Sequence, residues 1–251
     1  MIFCIFLLIF ATIGIVTFVL APALAERRIV FNDFPDHPCG FGPEMAWIAI
    51  RSTDLSAIVA ALEIGDPISA NWNCGIGSVY DADLGENRVF VSPPVEGWVF
   101  VVGTCLPHPH GRFFVDKCTP LLAGLSERFG DVQYFACLAE LDVYAWVKFA
   151  AGRLVRGFGI GDDGVVWRSG RTTREERLLG LKLFELRGVR GRNGDAGGEL
   201  LMHPTPEHVM GLAGHWSVNP TLLDSEGALP GTGVTGEAPR RWRTERLRKI
   251  A

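Results

Sequence analysis

Eight short apolar runs, each closed by turn-forming residues, constrain the fold more than any other feature of this chain. They are "MAWIAIRS", "GSVYDA", "RVFVS", "GWVFVVG", "DVQYFACL", "DVYAWVKF", "RLVRGFGI" and "VVWRS". Each has strand length, is rich in β-branched and aromatic residues, and is bounded by segments such as "DLGEN", "PPVEG" and "GDDG". Thirty glycines and fifteen prolines supply more turns than a helical bundle uses, so the chain reads as sheet-rich.

Helical periodicity interrupts the strands at a few places. In "STDLSAIVAALEI", Leu55, Ile58, Val59 and Leu62 fall at i, i+3, i+4 and i+7, with Ser52 or Thr53 as cap and Gly65 as stop. In "TPLLAGLSERFG", Thr119 is placed to cap, Pro120 to occupy the first turn and Gly130 to end the helix. Residues 53–103 and 119–160 therefore each read helix, strand, strand, strand. The expected fold is α+β, a mainly antiparallel sheet with packed helices. Further on, "TTREERLLGLKLFEL" opens with a capping box, Thr172 to Glu175 or Thr173 to Glu176. "GVRGRNGDAGGE" has loop composition, and "PTPEHVMGLAGHWSV" reads as a helix capped by Thr205, started by Pro206 and lined by Val209, Met210, Ala213 and Trp216.

The first 25 residues carry no charged side chain, which is long enough for a transmembrane helix. Ala23-Leu24-Ala25 also fits a signal-peptide cleavage site, but no basic residue precedes the apolar core and that core is longer than a secretory signal needs. A retained anchor through residues 2–25 is the preferred reading. Arg27 and Arg28 follow the span directly, which by the distribution of positive charge places the globular part in the cytoplasm, at a bacterial inner membrane. The alternative is export after cleavage at Ala25. Residues 26–44 form a connector, 45–224 a globular domain and 225–251 a flexible basic tail. At its end, over residues 238–251, Arg240, Arg241, Arg243, Arg246, Arg248 and Lys249 stand against Glu245, a net of about +5 that leaves the rest of the chain near −9. An acidic body argues against nucleic acid as a partner. The tail suits the anionic face of a membrane, with Trp242, Leu247 and Ile250 able to dip into the interface.

"CLPHPHGRFFVDKC", residues 105–118, is the stretch most like a reactive site. Cys105, His108, His110 and Cys118 offer four nitrogen and sulfur ligands for zinc. However, C-x2-H-x-H-x7-C is not a recognised structural zinc spacing, and Pro107 and Pro109 turn alternate residues away from a common face. A Cys105–Cys118 disulfide requires an exported domain. The plain reading is a loop from Gly103 to the helix capped by Thr119. Elsewhere, His203, Glu207, His208 and His215 lack the H-E-x-x-H spacing of metalloproteases. "GFGIGDDG" has Asp162 where a phosphate loop needs glycine, so "DDG" reads as a hairpin turn. The acid pairs at Asp162 and Asp163, Glu175 and Glu176, and Asp81 and Asp83 sit at turns and helix starts, where they are structural.

"GWVFVVG", "LSERFGDVQYF", "AWVKFAAGRLVRGFGI" and "HWSVNPTLLD" together resemble segments of a set of uncharacterised bacterial proteins, over roughly residues 45–224. The resemblance implies a bacterial origin and a single globular body, and it brings no activity and no site residues. With no catalytic residue to assign, the expectation is a membrane-anchored, non-catalytic binding module, by analogy an immunity-type binder of another protein. The competing expectation is an enzyme with a metal-dependent site near His108 and His110.

Overall fold

Met45–Arg51 forms β1, on which both cores of the domain are built. Met45, Trp47 and Ala49 enter one apolar cluster while Ala46, Ile48 and Ile50 enter another, and all six are almost fully buried. A strand covered on both faces has no polar alternation, which is why "MAWIAI" is apolar throughout. The computed structural model describes residues 30–109, 114–161, 164–181, 189–190, 199–200, 204–224 and 228–244. The expected anchor or signal peptide of residues 1–25 lies outside them. Among the described residues no helix is long and apolar enough to cross a membrane.

The chain continues as α1 (Leu55–Leu62), β2 (Gly65–Asn71), α2 (Trp72–Tyr80), β3 (Arg88–Val91), β4 (Trp98–Val102) and α3 (Cys118–Phe129). Then come β5 (Asp131–Leu138), β6 (Val143–Ala150), β7 (Arg153–Gly161), β8 (Gly164–Gly170), α4 (Arg174–Leu178) and α5 (Pro206–Trp216). Val189–Arg190 (β9) and Glu199–Leu200 (β10) make a small separate ladder, and β11 is Thr232–Glu237. Nine strands pair in the order β2-β11-β3-β4-β1-β5-β6-β7-β8, antiparallel at every step. The fold is α+β around this large antiparallel sheet. Helices α2 and α5 pack into the cluster of Trp47, Phe100 and Phe135, and α1 and α3 into that of Ile48, Val101 and Tyr134.

Three expectations differ from the structure. "GSVYDA" is not a strand: its first four residues end α2, whose buried residues Trp72, Gly75, Ile76 and Val79 recur at helical spacing. Asn71 caps this helix by accepting from Cys74 N, and the Asp36 carboxylate accepts from Trp72 N and Asn73 N at 2.6 and 3.0 Å. The second difference is β2, whose Pro67 and largely exposed residues fit an edge strand rather than an apolar run. The third concerns the basic tail. Thr232–Glu237 is an interior strand between β2 and β3, and Trp242 is 4% exposed within the core. Small residues let it fit: a Cβ on Gly233 would meet the Val91 carbonyl oxygen at 2.4 Å. Two helix starts also shift. Asp54 rather than Ser52 or Thr53 caps α1, and α3 begins at Cys118, with Asp116 accepting from Thr119 N. The Thr173–Glu176 capping box and the α5 start at Pro206 stand as the sequence predicts.

Candidate functional site

The loop leaving β4 folds back over the sheet instead of crossing it. Gly103 makes the turn possible, since a Cβ there would press on the Arg88 carbonyl oxygen at 2.9 Å. Thr104 donates to Gly85 O, the Cys105 thiol to Arg88 O, and Leu106 buries itself in the core. Opposite this loop runs the segment that follows β11. Ala238 N donates to Asn87 O at 2.8 Å, Arg243 Nη2 donates to Asn87 Oδ1 at 3.1 Å, and Lys117 Nζ donates to Arg243 O at 2.7 Å. Between the two walls lies a cavity of about 500 Å³, with Glu86, Asn87, Thr104, Cys105, His108 and Arg243 among its lining residues. That volume falls in the range of small-molecule sites.

His108 is held at this cavity by Tyr134 on β5. Their rings meet edge to face with centroids 6.2 Å apart, and His108 Nδ1 is hydrogen-bonded to the Tyr134 hydroxyl. Tyr134 is fully buried, and burial, with Cys118 adding to it, holds its phenol well above the usual range. The phenol therefore stays protonated, and its hydroxyl can either donate to or accept from the imidazole nitrogen. Burial also pushes the Cys105 thiol up to about 11. Cys118, buried at the start of α3, is raised well above its ordinary value by burial and then by Asp116. Both cysteines are free.

Of the four expected zinc ligands, the structure thus places Cys105 and His108 on one cavity, Cys118 in the core beneath, and leaves His110 outside the described residues. Among the described residues no group of three or more His, Cys, Asp or Glu side chains is disposed to hold a metal ion. Of the basic residues, Arg240 is exposed, Arg241 pairs with Glu63 at the end of α1, and Arg243 holds Asn87. Arg246, Arg248 and Lys249 lie outside the described residues. Trp242 is packed inward, so it is not an interfacial side chain. His208 serves α5 through its ring nitrogen, which accepts from Thr205 N at 3.0 Å.

A second buried polar group lies elsewhere. Arg156 on β7 donates through Nε to both oxygens of Glu176 at 2.8 and 3.0 Å, and the same carboxylate accepts from Trp146 Nε1 and Thr173 N. With its oxygens engaged by four donor contacts and no exposure, Glu176 is a structural lock rather than a substrate contact. Sequence reasoning found Cys105 and His108 by residue type. It missed Tyr134, Glu86, Asn87 and Thr104, because the cavity joins segments more than a hundred residues apart. Neither a family model, nor a curated protein, nor a solved structure matches the chain, so the site is read from its own geometry.

Proposed function

We propose that this chain is a membrane-anchored bacterial binding module whose ligand enters the cavity between Thr104–His108 and Ala238–Thr244. The observation that carries this reading is the cavity itself, lined by Glu86, Asn87, Thr104, Cys105, His108 and Arg243. The Cys105 thiol donates to Arg88 O, and His108 is hydrogen-bonded through Nδ1 to the buried Tyr134 hydroxyl. A cavity of this size with a few converging polar groups suits recognition of a ligand by hydrogen bonding. The uncharged segment 2–25 followed by Arg27 and Arg28 supports an anchor with the domain in the cytoplasm. An acidic body with a polar cavity is compatible with an immunity-type role towards another protein.

Thr104→Trp fills the cavity from its exposed rim and tests the reading. A partner or small molecule that co-purifies with the full chain should be lost from this variant while the melting temperature stays within a few degrees. Retention would remove the cavity from the reading. The second reading, a metal enzyme, draws on the His108–Tyr134 pair at the cavity wall. Stoichiometric zinc in the purified chain, lost in a His108→Ala/His110→Ala double variant, would favour it over the first. Mass spectrometry of the mature N-terminus separates anchor from export: a chain starting at Glu26 would establish export.

A further inference from the structure

A second groove, of about 590 Å³ and also lined by Trp242, is bordered by residues of α1 and α3. We propose that it binds an amphiphilic anion, an acyl chain bearing a carboxylate or phosphate head. Its floor is apolar: Ala61 from α1, Leu121 and Leu125 from α3, and Trp242 from the C-terminal segment. Its rim carries Lys117, Arg128 and Arg241 against the single carboxylate of Asp116, which already accepts from Thr119 N. Arg241 pairs with Glu63 and Lys117 Nζ donates to Arg243 O, so these cations are held at the rim, in a chain whose net charge is −4. The Arg241–Glu63 pair is solvent-exposed on both sides, and such pairs exchange partners at little cost. An apolar trough under a cationic rim matches a ligand with a tail and a negative head, and matches neither a neutral lipid nor a free inorganic anion.

Two further observations bear on how open the groove is. Trp242, on its floor, is 4% exposed. Gly124 lies in the middle of α3 and lines the groove, and a Cβ there would meet nothing within 4 Å, so a larger side chain at this position would project into open space.

The test uses the full chain in phosphatidylcholine nanodiscs with dibromostearate, whose bromines quench tryptophan on contact. Saturable quenching is expected, absent in Trp242→Phe, abolished in Gly124→Leu and weakened at least tenfold in Arg128→Gln. Gly124→Leu should keep the wild-type circular dichroism spectrum, and Arg128→Gln, on an exposed rim, serves if it does not. Quenching by dibrominated anionic lipid placed in the nanodisc, and not by dibromostearate, would support the same groove with the bilayer as its source, provided Gly124→Leu again removes it. Quenching by neither probe, quenching that survives Gly124→Leu, or equal quenching by the uncharged methyl ester would overturn the proposal. The inference is independent of the ligand proposed for the Cys105–His108 cavity.

Discussion

Tyr134 holds His108 in place, and it does so from the opposite end of a hydrogen bond that no sequence motif announces. A tyrosine in an apolar strand looks like any core aromatic, whereas a His-Pro-His loop between cysteines stands out by composition alone. That is why half of this pair was legible and the half that holds it was not. Tyr134→Phe removes the hydroxyl and its hydrogen bond to His108 Nδ1, a loss of about 1 kcal/mol in urea denaturation. Nitrogen-15 spectra should then show the His108 Nδ1 resonance shifted, a change that simple loss of packing would not produce. Glycines offer a sharper test of packing at the same scale. A Cβ on Gly75 would lie 2.2 Å from the ring of Phe90, which is fully buried and set edge-on to Trp72 at 5.6 Å. Two residues along the same helix, Gly77 has nothing within 4 Å. Gly75→Ala is expected to cost about 1–3 kcal/mol by overpacking. Gly77→Ala should instead stabilise by roughly 0.5–1 kcal/mol through helix propensity. Equal effects of the two substitutions would contradict the packing described.

Among the elements, α4 shows how far a local signature reaches. The T-x-x-E spacing of Thr173 and Glu176 announces the start of this helix, and the reciprocal hydrogen bonds are present. The spacing does not announce that the same carboxylate neutralises Arg156 and receives Trp146 Nε1, because those partners come from β7 and β6. Removing one member of a buried pair strands the other charge, so Arg156→Met is expected to lower stability by about 3–5 kcal/mol. Adding Glu176→Gln to that variant should restore part of the loss, since glutamine removes the stranded charge and its one carbonyl oxygen can still accept from either Trp146 Nε1 or Thr173 N. A double-mutant cycle in urea measures this coupling, and strict additivity would mean that the lock is not one unit. Helix α2 is the converse case. Its apolar spacing and its cap Asn71 are present in the sequence, but "GSVYDA" between turn segments reads as a strand. The Asp36 carboxylate, which also accepts at the start of the helix, comes from far upstream in the chain and is invisible to a local window.

At the scale of the whole molecule, the last described strand lies inside the sheet. β11 pairs with both β2 and β3 and so joins the edge strand to the rest. Its glycine-rich, weakly apolar sequence looked like a tail because pairing on both sides and close backbone approach, rather than side-chain burial, hold it. Deleting residues 231–251 is therefore expected to abolish a cooperative urea transition, where loss of a true tail would leave it intact. The two cores also impose a pH response. Burial raises the thiols of Cys105 to about 11 and Cys137 to about 12, and raises Cys118, Tyr80, Tyr134 and Tyr144 above their ordinary values of 9.0 and 10.0. In the unfolded chain these groups ionise near 9.0 and 10.0, while the folded chain keeps them protonated. Above pH 9 the folded state thus binds more protons than the unfolded state, and raising the pH drives unfolding. Their contribution is complete below pH 9 and is lost progressively as pH rises through about 11 and 12. Melting temperatures recorded from pH 7 to pH 11 should be level with respect to these groups up to about 9 and then fall. Replacing Cys105 and Cys137 by alanine should flatten that fall, even though each loses packing and the curve starts lower. An alkaline limb of unchanged slope in the double variant would show that the buried thiols do not set it.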